Sequence, residues 1–176
     1  EAMRFSGYAS VFGQVDSYGD TIAPGAYKDT LIDRERPVRM RWNHYGPVIG
    51  KWLRIDEDTK GLYVEGELTP GHRVAVDTYA SMKHGAIDGM SIGYTADQFK
   101  SMPDGRRLLE KIGLVEISVV EEPADLGARV AGIKSASTIR EIEATLRDSC
   151  GFSRADALTL VTRIKSMLQG ELAAEE

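Results

Sequence analysis

Alternation of apolar and polar residues dominates the first two thirds of the chain. Four segments alternate with a period of two: residues 38–42, 62–68, 90–95 and 115–119. This period places successive side chains on opposite faces of an extended backbone, so each segment is predicted to be a half-buried β-strand. Clusters of glycine and proline predict turns at residues 13–19, 47, 61 and 103–105. Residues 1–133 are therefore expected to form one β-rich domain.

Helical spacing appears in two short segments of this domain and again in the tail. Pro24 suits the first turn of a helix reaching Leu31, and apolar residues at helical spacing follow Gly71 as far as His84. Residues 138–141 have the capping-box form, and a further helix is predicted after residue 153, ending near residue 170. Residues 134–176 are thus expected to form a linker and a C-terminal helical hairpin.

Composition and charge narrow the function classes. The chain has 176 residues, of which 42% are hydrophobic, enough for one domain with a buried core. A net charge of −5 without a dense run of Lys or Arg argues against binding to nucleic acid. No apolar stretch has the length of a membrane span, and no signal-peptide pattern opens the chain. Neither nucleic acid nor a membrane is expected as a partner.

Metal and cofactor chemistry find no support in the sequence. Cys150 is the only cysteine, which excludes an internal disulfide and fits a reducing compartment. The three histidines, at positions 44, 72 and 84, match no recognised spacing of metal ligands, and no glycine-rich phosphate loop is present. We therefore expect no metal and no cofactor.

Ser91 is the candidate nucleophile. It lies between Met90 and Ile92, whose side chains are predicted to face the core, so the serine lies on the other face. Gly89 and Gly93 leave room beside it for a substrate backbone. Its flanks do not suggest the strand-to-helix turn of a nucleophile elbow. Without an adjacent base, the same pattern describes an ordinary solvent-facing strand serine.

His44 is the candidate base. It follows a predicted strand and precedes a turn, a position where catalytic side chains are common. His84 ends a predicted helix, where the dipole favours a cationic side chain, and His72 is predicted to be a solvated surface residue. A lone loop histidine can equally be inert.

Glu116 is the candidate acid that would orient the histidine. It is framed by Val115 and Ile117 in an otherwise apolar strand, where a carboxylate needs a partner. Ser91 and Glu116 are almost symmetric about the turn at residues 103–104, so a simple hairpin would place them opposite or one residue out of register, on one face. An alternating strand with one polar face is the plainer interpretation.

Four segments of the chain together resemble the prohead proteases of tailed phages, distant relatives of the herpesvirus protease assemblin. They read GYASVF at residues 7–12 with Asp16, Gly19-Asp20 and residues 24–26; WNH at 42–44 with IGKW at 49–52; GMSIGY at 89–94; and LVEISVV at 114–120 with Pro123-Ala124. The resemblance implies a mainly β fold, a closed antiparallel β-barrel with flanking helices. It also implies a serine endopeptidase with His44, Ser91 and Glu116 as catalytic residues.

The resemblance further implies a setting. Such enzymes act in the procapsid interior, assembled in the bacterial host cytoplasm, on the major capsid protein or a scaffold protein. It implies a homo-oligomer, with a dimer as one option, and self-cleavage, which we expect in an exposed linker at residues 127–137. Two other classes stay open: a serine hydrolase that does not cleave peptides, and a non-catalytic capsid-assembly module.

Overall fold

The computed structural model describes residues 3–32, 36–134, 146–147 and 151–172. The chain divides into two compact units, Glu1–Ser135 and Ala136–Glu176. The first unit holds all the strands described below, in agreement with the mainly β class that the alternation predicts.

One sheet of eight strands forms the first unit, and three helices are described in the chain as a whole. The strands are β1 (Arg4–Val11), β2 (Asp20–Ile22), β3 (Arg39–Trp42), β4 (Val48–Glu57), β5 (Gly61–Leu68), β6 (Gly89–Ser101), β7 (Arg107–Val120) and β8 (Val130–Lys134). The helices are α1 (Lys28–Ile32), α2 (Arg73–His84) and α3 (Arg154–Leu172).

The long strand β7 organises the sheet. One of its edges pairs with β6, and the sheet continues from β7 in the order β3-β4-β5-β1-β8. Both β2 and β3 pair with β7 in parallel. The segment between them bonds to the same strand, through Ala23 N–H to Leu109 O at 3.0 Å and Leu114 N–H to Thr30 Oγ1 at 3.0 Å. Because β2, α1 and β3 follow one another along β7 in one direction, both pairings are parallel.

Two features differ from the barrel that the resemblance implies. The sheet is mixed, so the prediction of a purely antiparallel sheet is wrong. The closed barrel is not confirmed, because the sheet curls into an open half-barrel. Between β6 and β8 the described residues form one isolated bridge, Gly89 with Arg129, instead of a continuous ladder.

The core lies on one face of the sheet and follows the predicted alternation. Residues of alternating positions in β3, β5, β6 and β7 are almost fully buried; they include Met40, Leu62, Val64, Met90, Ile117 and Val119. Burial of such a side chain stabilises the fold by roughly 1.5–3 kcal/mol. The same alternation turns the polar residues of β6 and β7 to the opposite face, where the site lies.

The helices of the first unit were predicted in place, with one boundary moved. Helix α2 is capped by Gly85, whose φ of 78° is left-handed, and the Gly85 N–H bonds back to Met82 O at 3.0 Å. The helix expected from Pro24 begins only at Lys28, because residues 24–27 form a turn.

The C-terminal part of the chain differs from the prediction at the linker and agrees with it at the last helix. Residues 127–134 are not an exposed linker: Ala128 is fully buried, and β8 pairs with β1. Ser153 accepts a hydrogen bond from Asp156 N–H at 3.2 Å and so caps α3, which runs past the predicted end at residue 170 to Leu172. The first helix of the predicted hairpin lies largely outside the described residues. None of the helices in the described part is long and apolar enough to span a membrane.

Candidate active site

Ser91 is the third residue of β6 and is 8% exposed. Residues 89–93 do have the Gly-x-Ser-x-Gly spacing of a nucleophile elbow. However, β6 continues as a strand to Ser101 and does not turn into a helix, as the flanking residues predicted. The serine is thus held by a strand ladder, in which its Cα partner on β7 is Ser118.

His44 lies in a tight loop directly after β3. Both Asn43 and His44 have left-handed backbones, with φ of 44° and 61°. This conformation is unfavourable for residues other than glycine, though Asn and His adopt it more readily than most. Hydrogen bonds offset the strain: Asn43 N–H donates to Val119 O at 3.0 Å, and His44 N–H donates to Ser118 Oγ at 3.1 Å.

The three predicted side chains lie together in one hydrogen-bonded line. His44 Nε2 is 3.0 Å from Ser91 Oγ, and His44 Nδ1 is 2.7 Å from Glu116 Oε1. An ionised carboxylate only accepts, so the proton of the neutral imidazole belongs on Nδ1. The lone pair of Nε2 then faces the serine hydroxyl, the arrangement that a general base requires.

The register of this hairpin differs from the expected one. Ser91 is opposite Ser118, and Glu116 is opposite Gly93, so serine and glutamate are two residues out of register. The turn is centred on Asp104, and a bulge leaves Val115 without a partner on β6. Each of these changes shifts the pairing by one residue. A shift of two keeps both side chains on one face, which was predicted.

Glu116 is 7% exposed and depends on the absence of a side chain at Gly93. A Cβ atom at Gly93 would lie 2.5 Å from Glu116 Oε1 and 3.0 Å from its Cγ. The glycine therefore provides the space in which the carboxylate turns toward His44.

Ser118 belongs to this cluster and was not predicted. Its side chain is fully buried, and its Oγ–H donates to Glu116 Oε2 at 2.5 Å. The available signal was its position two residues after Glu116 on the same strand, which places both side chains on one face.

A cleft of about 910 Å³ opens beside the cluster. It is lined by Ser91, His44 and Glu116 and continues past Tyr94 to Asp20 and Arg107. Tyr18 and Tyr45, which are 81% and 98% exposed, also line it. A surface cleft of this kind beside Ser91, the candidate nucleophile, has room for an extended peptide.

An ion pair between the buried Asp20 and the half-exposed Arg107 forms part of the cleft wall. The Asp20 carboxylate accepts from Arg107 Nε at 2.7 Å and from Tyr94 Oη at 2.7 Å. Burial alone would raise the pKa of Asp20, but hydrogen bonds from Arg107 and Tyr94 and the Arg107 charge outweigh it, so this pKa lies below its usual range. Burial and the neighbouring Asp20 raise the pKa of the Tyr94 hydroxyl, which stays protonated.

The other two histidines lie outside this cleft. The His72 side chain is the N-cap of α2 and accepts from Ala75 N–H at 3.4 Å, so it is more than the free surface residue that was predicted. His84 is the last residue of α2, as expected. Among the described residues, no group of three or more His, Cys, Asp or Glu side chains is arranged to hold a metal ion.

Comparison with known proteins shows what the chain is similar to. A sequence model for a family described as caudovirus prohead serine proteases matches residues 1–146. The prohead protease of Enterobacteria phage HK97 is 45% identical over 174 residues, covering 95% of this chain and 77% of that protein.

Two solved structures share the fold at low sequence identity. The bacteriophage T4 capsid assembly protease superposes with a TM-score of 0.57 at 12% identity, covering 68% of this chain and 82% of its own. The KSHV protease, solved with a hexapeptide phosphonate inhibitor, gives 0.56 at 12% identity, covering 94% and 77%. At this identity the likeness establishes the assemblin-like fold alone.

Fold, family match and relative together define a serine peptidase. More specifically, the chain belongs to the caudovirus prohead serine protease family, and it is a protease of capsid maturation.

Proposed function

We propose that the chain is a serine endopeptidase that uses Ser91 as nucleophile, His44 as general base and Glu116 as the orienting acid. The observation that carries this proposal is the line of two hydrogen bonds, 3.0 Å from Ser91 Oγ to His44 Nε2 and 2.7 Å from His44 Nδ1 to Glu116 Oε1. A nucleophile, a base and a third group that orients the base are the parts that acyl transfer needs.

The chemistry follows from these positions. Ser91 Oγ attacks the scissile carbonyl carbon as its proton passes to His44 Nε2. The imidazolium then gives that proton to the leaving nitrogen, the C–N bond breaks, and an acyl-serine remains. A water molecule attacks the acyl carbon and loses a proton to His44. The imidazolium then returns this proton to Ser91 Oγ, the ester C–O bond breaks, and the carboxylic acid product leaves. Glu116 stays ionised and stabilises the imidazolium in both halves.

The substrate binds in this proposal as an added strand on β6. Met90 N–H bonds to Ala128 O at 3.0 Å, so its backbone groups face away from β7. Alternation places the backbone N–H and C=O of Ile92 and Tyr94 on the same edge. Beyond Met90, none of the described strands pairs with that edge. An extended peptide can therefore form main-chain hydrogen bonds there, with its scissile carbonyl beside Ser91.

The substrates we propose are the scaffold protein or the major capsid protein inside the prohead, and also the enzyme itself. A segment must be extended and unpaired to enter the cleft. Because residues 130–134 are paired in β8, we do not expect self-cleavage within that strand. Action in the procapsid interior and assembly into a homo-oligomer remain predictions, the second of which sedimentation can test.

The decisive experiment incubates the full chain with its capsid or scaffold partner and follows products by mass spectrometry. Wild type should cut the partner and its own tail, whereas Ser91→Ala and His44→Ala should cut neither while keeping the wild-type circular dichroism spectrum. Cleavage by folded Ser91→Ala would refute the nucleophile. Hydrolysis of esters without any peptide cleavage would favour a different serine hydrolase, and no reaction of wild type would favour an assembly module.

A further inference from the structure

We propose that Ser118 is a positioning residue that holds both the base and the acid in place. The inference rests on the proposed roles of His44 and Glu116, and it adds a fourth side chain to them. The Ser118 hydroxyl bonds to His44 and Glu116 and not to Ser91 Oγ, so it acts through these two partners.

The hydroxyl of Ser118 both donates and accepts a hydrogen bond. It donates to Glu116 Oε2 at 2.5 Å and accepts from the backbone N–H of His44 at 3.1 Å. The side chain is fully buried, so water cannot replace either bond when the hydroxyl is removed. Unmade hydrogen bonds at buried polar groups are unfavourable, which makes both contacts strongly orienting.

On the acid side, the contact fixes how the carboxylate is turned. Glu116 Oε1 is 2.7 Å from His44 Nδ1, while Oε2 is held by Ser118. With both oxygens engaged, the carboxylate cannot rotate away from the imidazole. Without Ser118, His44 would be the one hydrogen-bond partner left to this carboxylate among the described residues.

On the base side, the contact anchors a strained loop. His44 has a left-handed backbone with φ of 61°, and its N–H donates to Ser118 Oγ. Strained conformations persist only where the surroundings over-determine them. Because Ser118 is also the Cα partner of Ser91, this anchor sets the height of the His44 loop above the nucleophile.

A merely structural buried serine would give a different result from a positioning one. If Ser118 only stabilises the fold, its substitution lowers the melting temperature and leaves the turnover of the folded fraction intact. Loss of positioning lowers kcat at temperatures where the protein is fully folded, with KM little changed, because the ground-state binding edge on β6 is untouched.

Three variants and one control test the proposal. Ser118→Ala removes the hydroxyl, Ser118→Cys keeps its size with only a weak donor, and Ser118→Thr keeps the hydroxyl. Thr78→Val removes another buried hydroxyl, on α2 and outside the cleft. We expect kcat to fall about 10- to 100-fold in the Ala and Cys variants, with KM within about twofold, since displacement by about 1 Å can lower a rate a hundredfold. Ser118→Thr should lose less activity than Ser118→Ala, because it keeps the hydroxyl but adds a methyl group to a fully buried position. Thr78→Val should stay near wild type.

A spectroscopic reading accompanies the kinetics. The downfield proton resonance of His44 Nδ1–H should be present in wild type and Ser118→Thr, and shifted or broadened in Ser118→Ala. Wild-type kcat and an unchanged resonance in folded Ser118→Ala or Ser118→Cys would overturn the inference. So would an equal loss in Thr78→Val. Failure of the proposed function would appear separately, as peptide cleavage by Ser91→Ala.

Discussion

The substitution Glu116→Gln tests the acid with almost no change in shape. The carboxylate accepts at both oxygens, from His44 Nδ1 at 2.7 Å and from Ser118 Oγ at 2.5 Å. A glutamine offers one acceptor and one donor. If its NH₂ faces Nδ1, the imidazole must carry its proton on Nε2, and it can no longer accept one from Ser91. If its oxygen faces Nδ1, the tautomer is kept, but the negative charge is lost.

The charge alone predicts a large effect. The imidazolium forms with its centre roughly 4 Å from the carboxylate, and two unit charges at that distance attract by about 4 kcal/mol at an effective dielectric of 20. Since about 1.4 kcal/mol is tenfold in rate, kcat should fall on the order of a thousandfold. The wrong tautomer adds to this, and removal of a triad acid can cost about 10⁴. KM should change little, because Glu116 is not on the substrate edge of β6.

The assay is steady-state cleavage of a quenched fluorescent peptide that spans the cleavage site, with kcat and KM determined separately. Glu110→Gln is the matched control, because Glu110 lies on the same strand and pairs only with Lys100 among the contacts described for it. We expect wild-type turnover there. Wild-type kcat in a folded Glu116→Gln would refute the acid's role, and no histidine could replace it, since His72 and His84 lie outside the cleft.

Two further predictions follow from the cleft. Gly93→Ala should lower kcat about 10- to 100-fold by pushing the Glu116 carboxylate off His44, with little change in melting temperature. The control is Gly132→Ala, whose new methyl group would have its nearest neighbour at 3.4 Å and should have no effect. A wild-type kcat in the Gly93→Ala variant would contradict the packing argument. Asp20→Asn should lower the free energy of unfolding by about 1–3 kcal/mol, because it removes the charge paired with Arg107. The pKa of Asp20 is lower in the folded than in the unfolded state. The difference in unfolding free energy between wild type and Asp20→Asn should therefore be fully present above the unfolded pKa of about 3.9, and it should vanish as the pH falls through the folded pKa. A difference that does not depend on pH in acid denaturation would show that the charge of Asp20 is not involved.

Much of the fold could be predicted, because a sheet that buries one face has strands in which apolar and polar residues alternate. The strand segments around Met40, Val64, Met90 and Ile117 were found in this way, and all four residues are fully buried. β8 was missed because it contains Ala131 and Gly132, small residues with low strand propensity, and its pairing with β1 spans most of the domain. Parallel pairing and the open half-barrel are also long-range outcomes that no local pattern encodes.

The three candidate residues of the site were named from the sequence, but their strand register and the contact with Ser118 were not. The resemblance placed His44, Ser91 and Glu116, and the structure brings them together. Their register could not be predicted, since it depends on a bulge at Val115 that looks like ordinary alternation in the sequence. Ser118 was missed because its one signal, a position two residues after Glu116, is shared by many serines on polar strand faces.

The parallel pairing of β3 with β7 has a consequence for the order in which activity arises during folding. Ser91 and Glu116 come from adjacent strands of one hairpin, whereas His44 reaches Glu116 across 72 positions of the chain. Local hairpins close early, and contacts distant in sequence form late because they cost more chain entropy. A partly folded chain would thus hold the proposed nucleophile and acid without the proposed base, and under that proposal it could not cleave. Proteolytic activity should appear only with the completed sheet, which protects a newly made chain and its neighbours from premature cutting.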